Sequence, residues 1–194
     1  MQKLTRKDLY SLEEYAAMRD DYRKKIMAHK KNRRLELGEN ILLSFEDKLI
    51  MQYQVQEMLK AEKIFEADGI EEELAAYNPL IPDGTNWKAT MLIQYPDVEE
   101  RQKKLTQLIG IENKIWLQVE GFDKVYAIAD EDLERDTEEK TSAVHFMRYE
   151  LDGDMVNAVK TGAAISAGVE HENYQTTVSP ITANVRNSLA SDLA

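Results

Sequence analysis

Hydrophobic positions in the first third of the chain change their spacing at Arg33 and again at Asp47. After Ser11, which has a carboxylate three residues later, apolar residues recur every three or four positions and predict a helix to about Lys31. Apolar and polar residues then alternate as far as Asp47, which predicts a β-hairpin. Asp47 has the side chain of a helix N-cap, and the apolar stripe after it predicts a long helix to about Phe65.

The second half of the chain is richer in alternating segments. Strands are predicted at 88–95, 114–120, 125–129, 141–151 and 163–169. Helices are predicted between some of these strands, and a terminal helix is predicted over about 180–193. Strands joined mostly by hairpins predict an α+β fold with a largely antiparallel sheet of about six to seven strands, packed helices and a long N-terminal helix. A doubly wound fold is the less favoured alternative.

The segment Asn78–Asn86 (NPLIPDGTN) is the strongest break in the pattern, because it holds two of the four prolines and a Pro-Asp-Gly turn. We place no domain boundary there, since the loop is short and neither flank carries enough apolar residues for a core of its own. The length of 194 residues and the apolar content of 43% predict a single domain over 1–194, with the terminal helix at its periphery.

Composition argues against several classes of protein. The 36 acidic and 25 basic residues leave a net charge of −11, which disfavours a nucleic-acid binder and a membrane-surface protein, because both present basic faces. The chain has no cysteine, so thiol nucleophiles, disulfides and self-ligated iron–sulfur clusters are excluded. The polar N-terminus and the lack of an apolar stretch of about 20 residues predict a cytoplasmic protein without membrane contact.

Charge is also segregated along the chain. Residues 23–34 contain seven bases and no acid, whereas residues 130–139 contain seven acids and one base. The basic segment predicts a contact for an anion or a protein partner, for which Lys30, Arg33 and Arg34 are the candidates. The alternative is a solvated helix end that meets the acidic segment within the domain or across a homo-oligomer.

Carboxylates and a histidine form a second candidate site. Glu46 lies where the predicted hairpin meets the long helix, and His145 lies within a predicted strand. Oxygen and nitrogen donors of this kind suit iron, manganese or zinc. The candidate ligands of a divalent metal are Glu46, Glu57, Glu62 and His145. The alternative is that the carboxylates are capping or solvent-facing and that the histidine is a hydrogen-bonded core residue. The long helix lacks the Glu-x-x-His pair of di-iron bundles, and no catalytic residue or cofactor-binding loop is identified.

Several short motifs are distributed along the chain. They are Phe45-Glu46-Asp47, Gln54-Val55-Gln56-Glu57-Met58-Leu59, Asn78-Pro79-Leu80-Ile81-Pro82-Asp83-Gly84, 95–101, 125–130 and 138–146. Together they resemble a bacterial family of uncharacterised proteins classed only as a domain of unknown function. The resemblance spans nearly the whole chain. It implies a single-domain cytoplasmic protein that is encoded near rubrerythrin-like non-haem iron proteins and iron–sulfur proteins, and it implies no catalytic residue.

Three functional hypotheses follow, and they leave open whether the protein is an enzyme. The favoured one is a non-enzymatic accessory or interaction protein that serves a non-haem iron or iron–sulfur redox system and binds a protein partner or a second copy of itself. The alternative is a metal-dependent or small-anion-binding enzyme that uses the Glu/His cluster, with Arg33 or Arg34 holding the anion. A nucleic-acid contact through residues 23–34 is the least favoured.

Overall fold

The computed structural model describes residues 3–133, 135, 137 and 139–194, so Glu134, Asp136 and Glu138 of the acidic segment lie outside the described residues. The described residues form six α-helices: α1 Leu12–Lys31, α2 Lys48–Glu62, α3 Ala67–Tyr77, α4 Val98–Gln107, α5 Gly153–Thr161 and α6 Ala183–Ala190. They form nine strands: β1 Arg34–Leu37, β2 Ile41–Glu46, β3 Asn86–Ile93, β4 Ile115–Val119, β5 Lys124–Tyr126, β6 Ile128–Ala129, β7 Val144–Glu150, β8 Ile165–His171 and β9 Tyr174–Val178. The predicted α+β class and the long N-terminal helix are confirmed.

The strands form two antiparallel sheets. The five-stranded sheet has the order β1-β2-β3-β7-β6, and the four-stranded sheet has the order β5-β4-β8-β9. In the larger sheet, Phe45 lies opposite Ala89 and Glu46 lies opposite Lys88. Because successive side chains on a strand point to opposite faces, the first pair belongs to the inner face of this sheet and the second pair to its outer face.

The main core contains the inward-facing side chains of both sheets. One buried cluster joins Trp87 and Tyr149 of the larger sheet with Leu117 and Ile165 of the smaller one. Helices α4, α5 and α6 add apolar side chains to the same cluster. The Trp87 indole also donates a hydrogen bond of 2.9 Å to the Leu189 carbonyl, so α6 is held to the core by a buried polar contact as well as by packing.

Helices α1, α2 and α3 bury their apolar stripes in two smaller clusters. Between α1 and α2, Tyr15, Tyr22 and Ile26 pack against Tyr53, and the rings of Tyr15 and Tyr22 meet edge to face at 6.1 Å. Between α2 and α3, a second cluster is formed around Val55. None of the helices in the described part of the chain is long and apolar enough to cross a membrane.

The strand content departs from the sequence prediction in two places. The predicted strand 125–129 is split, because Ala127 donates its N–H to the Ile115 carbonyl and the chain then leaves β4 to pair as β6 with β7. Strand β9 was not predicted, since it is a half-exposed edge strand of glutamine and threonine without apolar alternation. The described strands therefore number nine in two sheets, and not six to seven in one.

Candidate functional site

Arg33, a predicted anion contact, is buried with 1% of its surface exposed. Its guanidinium donates to the backbone carbonyls of Phe45 and Glu46 at 3.1 and 2.9 Å. It also binds both carboxylate oxygens of Asp192 at 3.2 and 2.5 Å, and Ser188 at 3.1 Å. Every nitrogen of the guanidinium is thus engaged by the chain itself, so Arg33 joins the first hairpin to the C-terminal segment.

Asp47 continues this buried network. Its Oδ2 lies 2.5 Å from His29 Nε2 and 3.3 Å from Arg33 Nε. Its Oδ1 accepts the N–H of Ile50 at 2.8 Å, so the predicted N-cap of α2 is confirmed. Burial raises the pKa of the Asp192 carboxyl to about 6, and the neighbouring Arg33 charge only partly opposes that effect.

The other two predicted anion contacts are more open. Arg34 is exposed, and Lys30 is half-buried with its ammonium 5.8 Å from the centre of the Tyr53 ring. Neither has a hydrogen bond or ion pair to an acidic side chain in the described part of the chain. Of the three basic residues named from the sequence, only these two can contact a molecule from outside.

Glu46 lies on the outer face of the larger sheet with 8% of its surface exposed. Its Oε1 accepts a hydrogen bond of 2.7 Å from Thr90 Oγ1. Burial raises the pKa of the Glu46 carboxyl, and the hydrogen bond from Thr90 opposes this shift.

Glu57 lies between α1 and α2. Arg19 binds its two carboxylate oxygens at 2.8 and 2.7 Å, and Tyr15 donates its phenolic proton to Oε1 at 2.6 Å. Hydrogen bonding to Arg19 lowers the pKa of Glu57 to about 2. Glu62 is exposed at the end of the same helix. Burial raises the pKa of Glu73, and the negative charges of Glu62 and Glu72 raise it further.

His145 is fully buried on β7. Its Nδ1 lies 2.6 Å from Asp130 Oδ2, and its Nε2 lies 2.9 Å from Thr141 Oγ1 and 3.0 Å from the Ser142 carbonyl. The order carboxylate, imidazole, hydroxyl matches the order of groups in a catalytic triad. Only 1% of Thr141 is exposed, however, so its hydroxyl has no access to a substrate.

The four candidate metal ligands have separate partners. Glu46 is bound to Thr90, Glu57 to Arg19 and Tyr15, and His145 to Asp130, whereas Glu62 is exposed to solvent. Within the residues that the structure describes, no group of three histidine, aspartate or glutamate side chains is arranged to hold a metal ion.

An exposed stripe of α1 carries three of the seven basic residues of the basic segment. It is made of residues three and four positions apart on the side of the helix opposite Tyr22. Its members are Asp20, Arg23, Lys24, Met27, Ala28 and Lys31, which line a shallow depression. We call this set the α1 stripe. Arg23 and Lys31 have no hydrogen bond or ion pair from their side chains to any described residue, and Met27 is 37% exposed between them.

A groove of about 400 Å³ lies between the end of α3 and the outer face of the larger sheet. Tyr77 and Leu80 line one side, and Phe146 and Lys88 line the other. Arg148 also lines this groove, but Glu131 binds it through two hydrogen bonds of 2.8 Å and Glu150 binds it at 2.5 Å. We call this the α3–sheet groove.

Comparison with known proteins places the chain in a family. A model for a protein of unknown function, DUF3501, matches residues 3–193. The chain belongs to the DUF3501 family. The chain is also similar to a crystal structure described as a novel protein of unknown function from Burkholderia pseudomallei, with 48% identity, coverage of 100% of both chains and a TM-score of 0.93. No protein with a curated description matches this sequence significantly.

One motif of this DUF3501 chain forms a wall of the α3–sheet groove. Pro79 and Leu80 belong to the segment 78–84, and Asn78 fixes its start through hydrogen bonds to the backbone N–H and carbonyl of Leu4 at 2.7 and 3.0 Å. Sequence reasoning identified this segment as a loop but missed the groove. The lining comes from four separate stretches of chain, and no spacing within any one stretch signals that they meet.

Proposed function

We propose that this protein is a cytoplasmic, non-enzymatic accessory protein that binds an acidic surface of a protein partner on the α1 stripe. The observation that carries the proposal is the pair Arg23 and Lys31, two unpaired cations that flank an exposed methionine on one helix face. Methionine and arginine are enriched at protein interfaces, and opposite charge steers an acidic partner to such a face.

The charge of the rest of the chain supports this choice of face. With a net charge of −11, most of the surface repels an acidic partner, so the α1 stripe is where such a partner is attracted. The ion pair between Lys24 of the stripe and the neighbouring Asp21 does not cancel the positive charge of the stripe, because these side chains are 78% and 90% exposed and solvent screens their attraction.

A non-catalytic role is supported by the buried polar groups. The donors of Arg33, both oxygens of Glu57 and both ring nitrogens of His145 are engaged by the chain's own residues. Such fully bonded networks orient helices and strands and leave no group directed at a substrate.

The test is a crosslinking pull-down from the source cells with three tagged proteins: the natural chain, the Arg23→Glu/Lys31→Glu variant and a Lys103→Glu/Lys160→Glu control. Both control positions are exposed lysines on other helices. We expect the natural chain and the control to capture the same acidic protein, and the α1 variant to lose it. A natural chain that remains an isolated monomer, or a variant that retains the partner, would contradict the proposal.

The identity of the captured protein tests the second part of the proposal, that the partner belongs to a non-haem iron or iron–sulfur redox system. A partner without iron would contradict that link but leave the docking face intact. Capture that disappears on nuclease treatment would favour the nucleic-acid contact instead. Sedimentation of the purified natural chain shows whether the captured surface belongs to a second copy.

A further inference from the structure

The Lys88 ammonium is the unusual group of the α3–sheet groove. The side chain is half-buried, and it has no hydrogen bond or ion pair to any described residue. Burial, followed by the like charge of Arg148, lowers the pKa of Lys88. A half-buried ammonium that makes no direct contact with a carboxylate of the chain is available to bind an anion that enters the groove.

The acids of the groove do not supply a direct partner for Lys88. Glu131 is bound by Arg148, and Asp132 is bound by both terminal nitrogens of Arg135 at 2.7 and 2.9 Å. Glu46 lies opposite Lys88 in the sheet register but accepts its hydrogen bond from Thr90. The carboxylates of Glu131, Asp83 and Glu150 attract Lys88 from a distance. No hydrogen bond or ion pair joins its ammonium to any of them, so the ammonium keeps its donors for a molecule from outside.

The rest of the lining is apolar. The groove that Lys88 lines is also lined by Ala76, Pro79, Leu80, Phe146 and the ring of Tyr77. The volume of about 400 Å³ lies within the range of roughly 300–1,000 Å³ that small-molecule sites occupy. One cation set among apolar and aromatic side chains suits a ligand with one anionic group on a flat apolar body.

The electrostatics of the groove select the charge of that ligand. Helix α3 ends at Tyr77, so the partial negative charge of its C-terminus faces the groove beside Glu131 and Asp132. These groups repel a dianion such as a phosphate monoester, whereas a single carboxylate is neutralised by Lys88 alone. We propose that the α3–sheet groove is a binding site for a small aryl or alkyl carboxylate, with its carboxylate on Lys88 and its apolar body between Tyr77 and Phe146.

The proposal is independent of the α1 stripe, and its test uses defined probes. Hydrocinnamate and naphthoate are titrated into the ¹⁵N-labelled full chain, each beside its neutral amide, and amide shifts are followed by NMR. We expect both carboxylates to shift the backbone N–H signals of Tyr77, Lys88 and Phe146. The neutral amide ligands should bind roughly tenfold more weakly, because they lose the charge-assisted hydrogen bond to Lys88.

Two variants locate the site. Lys88→Met keeps most of the length of the side chain and should weaken the binding of both carboxylates by roughly tenfold or more. Ala76→Trp, at an exposed position of α3, should block the groove without touching the lysine. Lys103→Met on α4 is the matched control and should bind as the natural chain does. Binding to neither carboxylate at millimolar concentration, equal binding of the neutral amides, or unchanged binding in both groove variants would overturn the proposal.

Discussion

Arg33 and Asp192, which are 159 positions apart, form a buried ion pair with two hydrogen bonds. Only 1% of Arg33 and 3% of Asp192 is exposed. Arg33 directly precedes β1 and Asp192 lies two residues after the end of α6, so this pair connects the beginning of the sheet to the C-terminal segment. Asp47 and His29 extend the pair towards α1 and α2, and the network thus joins the helical layer, the hairpin and the C-terminus.

Replacing Arg33 with methionine should lower the free energy of unfolding by about 3–5 kcal/mol. The substitution leaves Asp192 buried without its cation, and the loss of one member of a buried pair costs about that much. Urea unfolding followed by circular dichroism measures the change. Arg34→Met is the matched control, since Arg34 is the exposed next residue and its replacement should change stability by no more than about 0.5 kcal/mol. Equal stability of the two variants would show that the pair contributes nothing.

The pKa of Asp192 predicts a dependence of stability on pH. Its ordinary value of 3.8 is raised to about 6 in the folded chain by burial. Between these values the folded chain holds a proton that the unfolded chain has released, so stability falls as pH rises from about 4 to about 6. The full effect is up to about 3 kcal/mol.

Comparison with Asp192→Asn isolates this contribution. Glu46 also has a raised pKa and acts with the same sign, but it is unchanged in the variant. The natural chain gains stability from Asp192 as pH falls and the asparagine variant does not, so we expect the unfolding free energy of the natural chain minus that of Asp192→Asn to rise by up to about 3 kcal/mol from pH 7 to pH 4. A difference that stays constant over this range would contradict the raised pKa.

The N-terminal third of the fold was predictable because local signals there agree with the packing. Ser11 and Asp47 cap α1 and α2 as their side chains indicate, and the hairpin register follows the alternation of apolar residues. Lys63 marks where such signals fail. It ends α2 in a left-handed conformation, with φ of 56°, that lysine seldom adopts and that no local sequence rule signals.

Glu57→Gln should destabilise the chain at neutral pH by about 1–2 kcal/mol. The carboxylate has an ordinary pKa of 4.5 and a folded value of about 2, chiefly because of its hydrogen bonds from Arg19. Its contribution is complete above pH 4.5 and is lost as pH falls towards 2. The expected loss of stability is smaller than the pKa difference alone implies, because the side chains of Arg19 and Glu57 are 32% and 23% exposed and solvent screens their attraction.

Glu62→Gln is the control for this prediction. Glu62 lies on the same helix, is exposed and adds to the negative charge around Glu73, so its replacement should leave stability unchanged or slightly raised. Thermal unfolding at pH 7 and pH 3 measures both variants. If Glu57→Gln had the same effect at the two pH values, the lowered pKa would be wrong.

Gly168 on β8 provides a test of the packing between strands. A β-carbon at this position would lie 2.5 Å from Trp116 Cζ2 and 2.6 Å from the backbone oxygen of Thr176, and the backbone cannot move aside cheaply. Gly168→Ala should therefore cost about 1–3 kcal/mol of unfolding free energy, the usual cost of overpacking. Gly153→Ala at the start of α5 is the control, because nothing lies within 4 Å of its added carbon. Urea midpoints that fall equally would contradict this account of Gly168.

The candidate site was harder to predict than the fold because a charged residue has the same sequence signature whether it faces the core or solvent. Arg33 and Arg34 are adjacent bases, yet the first is engaged by five residues of the chain and the second is exposed. Strand alternation explains the difference once the hairpin is in place, since the two side chains point to opposite sides. The groove was missed for another reason: Lys88 differs from other lysines only in what tertiary structure places around it.

Metal content tests the hypothesis of a site built from Glu46, Glu57, Glu62 and His145. Binding at Glu57 would require displacement of Arg19 and Tyr15, and binding at His145 would require displacement of Asp130 from Nδ1 or of the groups at Nε2. We therefore expect Glu57→Ala to leave the iron, manganese and zinc content of protein purified without chelator unchanged, as measured by plasma mass spectrometry. Glu13→Ala, an exposed glutamate of α1, is the control for non-specific binding. A stoichiometric metal that is lost in Glu57→Ala and retained in Glu13→Ala would establish the metal site and contradict the assignment of Glu57 to helix packing.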